Sequence, residues 1–293
     1  MTDLITIASA GLTARINPLG AELSSLADAA GREYMTDADP AFWSGRAPLL
    51  FPIVGALVDD TLRVDGQGYH MPKHGFARRS AFVLAEQAAD RAVFRLEDSA
   101  ETRASYPFGF ALEMAFALSG MTLAMEATVH NTGDAPLPFS FGYHPAFAWP
   151  LPGGAAKAVH CVLFEADEPQ PIRQLEKASG LIQPDSLPTP VAGRQLALDP
   201  DLFRADALIW SELHSRRLSY GADGGAWLDV AFPDSPMLGI WQVPGARYIC
   251  VEPWQGHSDP VGYAGDFGDK PGVVTLQQGT SRSFRMDVTV RPV

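Results

Sequence analysis

Cysteine is scarce in this chain, with only Cys161 and Cys250 in 293 residues. Two thiols cannot build a disulfide framework or a thiolate metal cluster. Basic residues are outnumbered: 22 Lys and Arg face 34 Asp and Glu, for a formal net charge of -12. Nucleic acids and anionic membrane surfaces both need clustered cations, so neither is an expected partner. The balance suits a soluble chain that recognises a neutral ligand, or a charged one through a local cluster. No stretch approaches the roughly 18 uninterrupted apolar residues of a membrane-spanning helix. The opening MTDLITIASAGL lacks a basic leader and a long apolar core, so no signal peptide is expected. Reducing cytoplasm is the expected compartment. Missing too are a G-x-S-x-G elbow, a Walker loop, a G-x-G-x-x-G turn and a C-x-x-C pair, which leaves nucleotide chemistry no foothold.

Helical periodicity is equally rare. SAETRASYP (99–107) predicts one short helix closed by Pro107, and DPDLFRADALIW (199–210) a further turn or two. What fills the chain is alternation. Phe284, Met286, Val288 and Val290 point one way in SFRMDVTV, with Arg285, Asp287 and Thr289 between them. ALEMAFAL, MTLAMEATV, RAVFRL, WLDVAF and MLGIWQV repeat the pattern. Period two marks half-buried strands. Turn chemistry separates them in HNTGDAPLP, GADGG, FPDSP and QQGTS, and the proline-rich patches at 148–154 and 184–190 read as loops. Many strands with few helices predict an all-β protein, a large antiparallel β-sandwich or barrel, and residues 1–293 read as one domain.

Three places carry candidate chemistry. YICVEPW ends an apolar strand on a carboxylate, Glu252, with Pro253 and Trp254 behind it. An unpaired buried carboxylate is costly, so Glu252 is expected either in water or in use. In LPFSFGYHPAF, Phe139, Phe141 and Tyr143 share one face, while Ser140, Gly142 and His144 share the other, a small polar face suited to a ligand. In PKHGFARR, His74 precedes Gly75, which permits a sharp turn or a close approach. Proline follows both His144 and Glu252, predicting strand ends that open into loops. If the two ends open on one side, a His and a Glu face one cavity, walled by Trp254, Phe76 and Tyr143 and bordered by His257. His70, His130, His160 and His214 read as structural or solvated.

In order along the chain, INPLGAELSSL, FWSGRAPLLFPIVGAL, KHGFAR, YPFGFAL, FSFGYHPAF, LFRADALIW and ICVEPWQG resemble the aldose 1-epimerase (galactose mutarotase-like) family, most closely its LacX-like bacterial branch. The resemblance implies a large two-sheet sandwich that interconverts the anomers of a sugar without a cofactor. It implies His144 as general acid on the ring oxygen, Glu252 as general base on the anomeric hydroxyl, and His74 as a third catalytic group that holds or polarises the ring. It offers Asp206 as a contact to sugar hydroxyls and Trp254 as an apolar wall. Arg46 and Arg78 are further candidate sugar contacts, with ion pairs at the rim as their alternative. The tract FPIVGAL departs from the Arg-Ile motif of galactose mutarotases, which bears on sugar specificity rather than on reaction type. Two other functions fit the same residues. One is a non-catalytic carbohydrate-binding or sensing protein of the same fold. The other is a metal enzyme with His74, His144 and Glu252 as a 2-His-1-carboxylate site, although the closely spaced ligand pair on one strand is absent.

Overall fold

Alternation becomes strand where the sequence predicts it. SFRMDVTV lies in the strand Ser281–Arg291, whose Phe284, Met286, Val288 and Val290 are buried while Arg282, Ser283 and Arg285 are exposed. The computed structural model describes residues 3–293, and its regular secondary structure is almost wholly antiparallel strand. Nine strands form one large sheet, with Thr122–Asn131 near its centre between Phe110–Ser119 and Ser281–Arg291. Eight form a second, running from Ile182–Leu187 at one edge through Leu208–Trp210, Met237–Trp241 and Tyr248–Gln255 to Phe141–Tyr143 and Leu49–Leu50. The eighth strand, Ala146–Ala148, also pairs with Tyr248–Gln255. A three-stranded sheet covers residues 5–28.

The inner faces of the two large sheets meet in an apolar core, as a β-sandwich requires. Phe141 of the second sheet stacks on Phe284 of the first with ring centroids 5.2 Å apart. Trp210 meets Phe164 across the same interface at 5.8 Å. The Tyr143 hydroxyl accepts from Ala127 N–H at 3.0 Å and donates to the Phe284 carbonyl at 2.8 Å, so this polar tip is satisfied inside the core. Tyr143 is therefore a core residue, and the half-buried Phe76 packs against that core. Phe76 packs on Phe51, Tyr106 and Phe110.

Helix is confined to short pieces. One turn, Ala100–Arg103, begins at a capping box in which Ser99 and Thr102 bond each other's backbone N–H. The 199–210 tract holds one 3-10 turn, Pro200–Phe203, capped by Asp199, before the strand Leu208–Trp210 begins. Part of the patch expected as loop at 184–190 is strand: Ile182–Leu187 runs through Pro184 and lies at a sheet edge, where a missing N–H is tolerated. Among the described residues no helix is long and apolar enough to cross a membrane.

Candidate active site

Glu252 sits inside a strand, not at its end. Tyr248–Gln255 continues through Pro253, which pairs with Leu238. The reason lies next door. Val251 N–H donates to the Pro145 carbonyl, so Pro253, two residues on, turns its nitrogen to the same side. There the neighbouring chain is broken between Phe141–Tyr143 and Ala146–Ala148, and a proline costs little. Gly142 pairs with Trp254 and Ala146 with Cys250. The same register carried inward from both sides places His144 opposite Glu252. The His144 Nε2 lies 3.3 Å from Glu252 Oε2.

One face of this sheet therefore carries Cys250, Glu252 and Trp254 alongside His144, Gly142 and Gly239. The opposite face, with Ile249, Val251, Leu238 and Ile240, belongs to the main core. Two small apolar clusters flank the pair on its own face. Leu50, Val54, Leu175, Ile209 and Met237 surround Trp254 on one side. Ala146, Ala246, Tyr248 and Cys250 pack with Trp43 and Trp241 on the other. Glycine is required beside the indole: a Cβ at Gly142 would lie 2.5 Å from Trp254, and one at Gly239 2.6 Å.

His74 arrives from a loop. Its backbone has φ 67°, a left-handed conformation that is uncommon for a residue with a Cβ. Two reciprocal hydrogen bonds hold it there. His74 N–H donates to the Gly55 carbonyl at 2.8 Å, and Gly55 N–H donates to His74 Nδ1 at 3.0 Å. Nδ1 is thus the acceptor, and in the neutral ring Nε2 carries the proton. Gly75 follows with φ 71°, and a Cβ there would lie 2.2 Å from the Phe51 carbonyl oxygen, so only glycine fits the turn. The rings of His74 and His144 stand 5.8 Å apart and nearly perpendicular.

These groups line a cavity of about 190 Å³ together with Trp43, Lys73, Arg78, Asp206 and Trp241. Glu252 is 2% exposed and His144 8%, so a Glu252 resting in water is excluded. Burial pushes the Glu252 carboxyl well above its usual range; Lys73 opposes that and Asp206 adds to it. Burial also draws His144 down to about 3, against a backbone hydrogen bond, with Lys73 and Arg78 lowering it further. His74 is held neutral by burial, then by His144, Lys73 and Arg78. Burial thus favours the uncharged form of each of these three groups. Such opposed shifts on adjacent groups in a cleft are characteristic of acid–base sites.

Asp206 lines the cavity with φ 88°, its Oδ1 accepting from Ala207 N–H at 2.8 Å. Arg78 also lines it, while one of its nitrogens donates to the Lys73 carbonyl. Arg46 does not line it: its guanidinium donates to the carbonyls of Ser24 and Thr36 and serves the fold. His257 lies behind the wall, with Nδ1 bonded to the Ser258 carbonyl. Among the described residues, the groups placed to share a cation are His144, Cys250 and Glu252, whose ligand atoms lie within 4.8 Å of one another; His74 is outside that set. Burial raises the Cys250 thiol and the Glu252 carboxyl, favouring protonated forms that do not ligate. Sequence reasoning passed over Trp43, Lys73 and Trp241. Their signal was present only as neighbours of named motifs, Lys73 directly before His74 and Trp43 in the tract before Arg46.

A profile of the aldose 1-epimerase family matches residues 3–270. The chain belongs to the aldose 1-epimerase family. Its similarity to the chromosomal LacX protein of Lactococcus lactis is 31% identity over 288 residues, covering 95% of this chain and 96% of that one. A galactose mutarotase related enzyme from Lactobacillus acidophilus shares the structure with a TM-score of 0.89 and 31% identity, over 98% of this chain and 97% of its own. A galactose mutarotase-like protein from Lactobacillus casei superposes with a TM-score of 0.92 at 28% identity, over 98% and 100% of the two chains. The galactose mutarotase-like sandwich expected from the sequence is thus the fold of the family.

Proposed function

We propose that this member of the family is a mutarotase, which interconverts the α and β anomers of an aldose by opening and reclosing the hemiacetal. The observation that carries the reading is the buried His144–Glu252 pair, 3.3 Å apart, in a cavity shared with His74 and Asp206. Opening the ring breaks the bond between C1 and the ring oxygen. The anomeric O–H gives up a proton while the ring oxygen receives one. C1 becomes an aldehyde, rotates about the bond to C2, and is attacked by the former ring hydroxyl on its other face. Every proton returns to its source, so one base and one acid suffice.

The pair already holds the proton this cycle needs. Burial favours placing it on Glu252, as an uncharged acid beside an uncharged imidazole. An anomeric hydroxyl donating to Glu252 favours the carboxylate, as does Lys73, and the proton moves toward His144. His144 then serves as acid and Glu252 as base for opening, and the roles reverse on closure. His74, with Nε2–H as its available donor, holds a sugar oxygen, and Asp206 accepts from a hydroxyl. Trp43, Trp241 and Trp254 offer apolar faces to the ring's C–H groups.

Polarimetry on freshly dissolved α-anomers tests this reading. Glu252→Gln keeps the shape and loses the proton acceptor. Its kcat is expected to fall by about 10²-fold or more while sugar still binds. A folded variant with near wild-type turnover would sink the assignment. Sugar binding without any acceleration by the wild type would favour a carbohydrate-binding role for the same fold.

A further inference from the structure

One group beside the catalytic pair has no part in the sugar chemistry. Cys250 is a free thiol and fully buried. It stands two residues before Glu252 on the strand Tyr248–Gln255, so both side chains project from the same face. Ala146 is its partner on the neighbouring strand, and His144 lies just before that strand, at the break. The ligand atoms of His144, Cys250 and Glu252 fall within 4.8 Å of one another. An imidazole, a thiol and a carboxylate make a donor set for a thiophilic divalent ion such as zinc or cadmium. Magnesium and calcium take oxygen ligands and do not suit it.

The spacing also suits such an ion. On a tetrahedral zinc a nitrogen and an oxygen stand roughly 3.3 Å apart, and either stands roughly 3.5 Å from a sulfur. His144 Nε2 and Glu252 Oε2 already lie 3.3 Å apart. The contacts to sulfur then close by roughly 1.3 Å at most, which small rotations of three side chains supply. His144 and Glu252 line the cavity while Cys250 is buried in its wall, so the fourth position opens on the cavity. Lys73 and Arg78 repel a cation there, and Asp206, the Glu252 carboxylate and the thiolate offset them. Ligation replaces the protons that burial favours on Cys250 and Glu252.

We infer that His144, Cys250 and Glu252 form an inhibitory site for a thiophilic divalent cation of the zinc class. That the ion inhibits rests on the mutarotase reading. Once on the ion, the His144 nitrogen and the Glu252 oxygen can neither take nor give the proton that ring opening moves. The bound ion therefore blocks turnover, and sugar competes with it for the same two groups. The acid–base cycle itself needs no ion at any step.

The test follows mutarotation of α-glucose and α-galactose by polarimetry during titration with zinc chloride, using the full chain, Cys250→Ala and Cys161→Ala. A buried cysteine packs as a small hydrophobe, so Cys250→Ala is expected to fold and to keep wild-type turnover; Cys250→Ser serves if it does not. Zinc is expected to inhibit the wild type, EDTA to restore it, and magnesium to have no effect. Cys250→Ala is expected to need about tenfold more zinc or beyond, the scale on which losing even a supporting group weakens a metal site, while Cys161→Ala behaves as wild type. No inhibition by zinc, equal inhibition by magnesium, or inhibition unchanged in Cys250→Ala would overturn the site and spare the mutarotase reading. If no sugar is turned over, that reading fails, and binding alone decides the site. Cadmium then reports on it through the ultraviolet thiolate-to-cadmium charge-transfer band. A band that saturates at one equivalent in the wild type and is lost in Cys250→Ala supports the site; no band, or one that persists in Cys250→Ala, overturns it.

Discussion

Glu252 and His144 are displaced from their ordinary proton affinities in opposite directions by the same cause, the removal of water. The consequence for stability has a sign. His144 has a folded value near 3 against an ordinary 6.5, so the folded state binds its proton less readily than the unfolded chain. The stability tied to its neutrality is present above about pH 6.5 and lost as pH falls toward 3. His74, His160 and His257 are lowered by burial and act in the same direction. Glu252, raised, acts in the other: its contribution is present below about pH 4.5 and lost as pH rises through its folded value. His144→Asn is therefore expected to lose stability less steeply than wild type between pH 6.5 and 3, measured by urea unfolding across that range. An unchanged slope would show that His144 is charged in the native protein.

At the scale of elements, the site depends on what neighbouring strands omit. Gly239, in Met237–Trp241, leaves the space that the Trp254 indole occupies from the adjacent strand. Gly239→Ala puts a methyl 2.6 Å from that ring, so the indole must shift. Overpacking of this kind costs about 1–3 kcal/mol, and the expected result is a lower Tm with a raised KM for sugar. The segment that receives His74, just after Gly55, is held from behind by a second device. Ser258 Oγ accepts from Ala56 N–H and Asp259 Oδ2 from Val58 N–H, each at 3.0 Å. Asp259 in turn pairs at 3.1 Å with Lys270, whose side chain is fully buried. Lys270→Met strands the Asp259 charge, and breaking one partner of a buried pair costs about 3–5 kcal/mol. Chemical denaturation should show a loss on that scale. A loss under 1 kcal/mol would mean that Asp259 finds another partner or takes up a proton.

For the whole molecule, the net charge of -12 repels anions at long range, while Lys73 and Arg78 stand at the cavity. Those two cations face Glu252 and Asp206 in the same cavity, and Arg78 is already engaged by the Lys73 carbonyl. Neutral aldoses are therefore expected to have a higher kcat/KM than their 6-phosphates. Polarimetry on matched pairs measures this directly, and a preference for the phosphate would reassign Lys73 and Arg78 as its ligands.

Local patterning was enough to read several of the long strands at the middle of the sandwich, because a half-buried strand writes its two faces into alternate residues. Ser281–Arg291, Phe110–Ser119, Thr122–Asn131 and Trp227–Ala231 are examples. The family motifs named His74, His144, Asp206 and Glu252, and all four line one cavity. Only the tertiary structure decided where Glu252 stands. Proline after a carboxylate reads as a strand end, and a break in the adjacent chain, 108 positions earlier at His144, is what lets the strand run on. Likewise Arg46 and Arg78 look alike in sequence; which faces the cavity depends on carbonyls at Ser24 and Thr36 that folding brings to Arg46. Trp43, Lys73 and Trp241 carry no local mark of a cavity beyond the nearness of Lys73 and Trp43 to named motifs. Their roles arise from side-chain proximity across strands and loops, which sequence spacing does not encode.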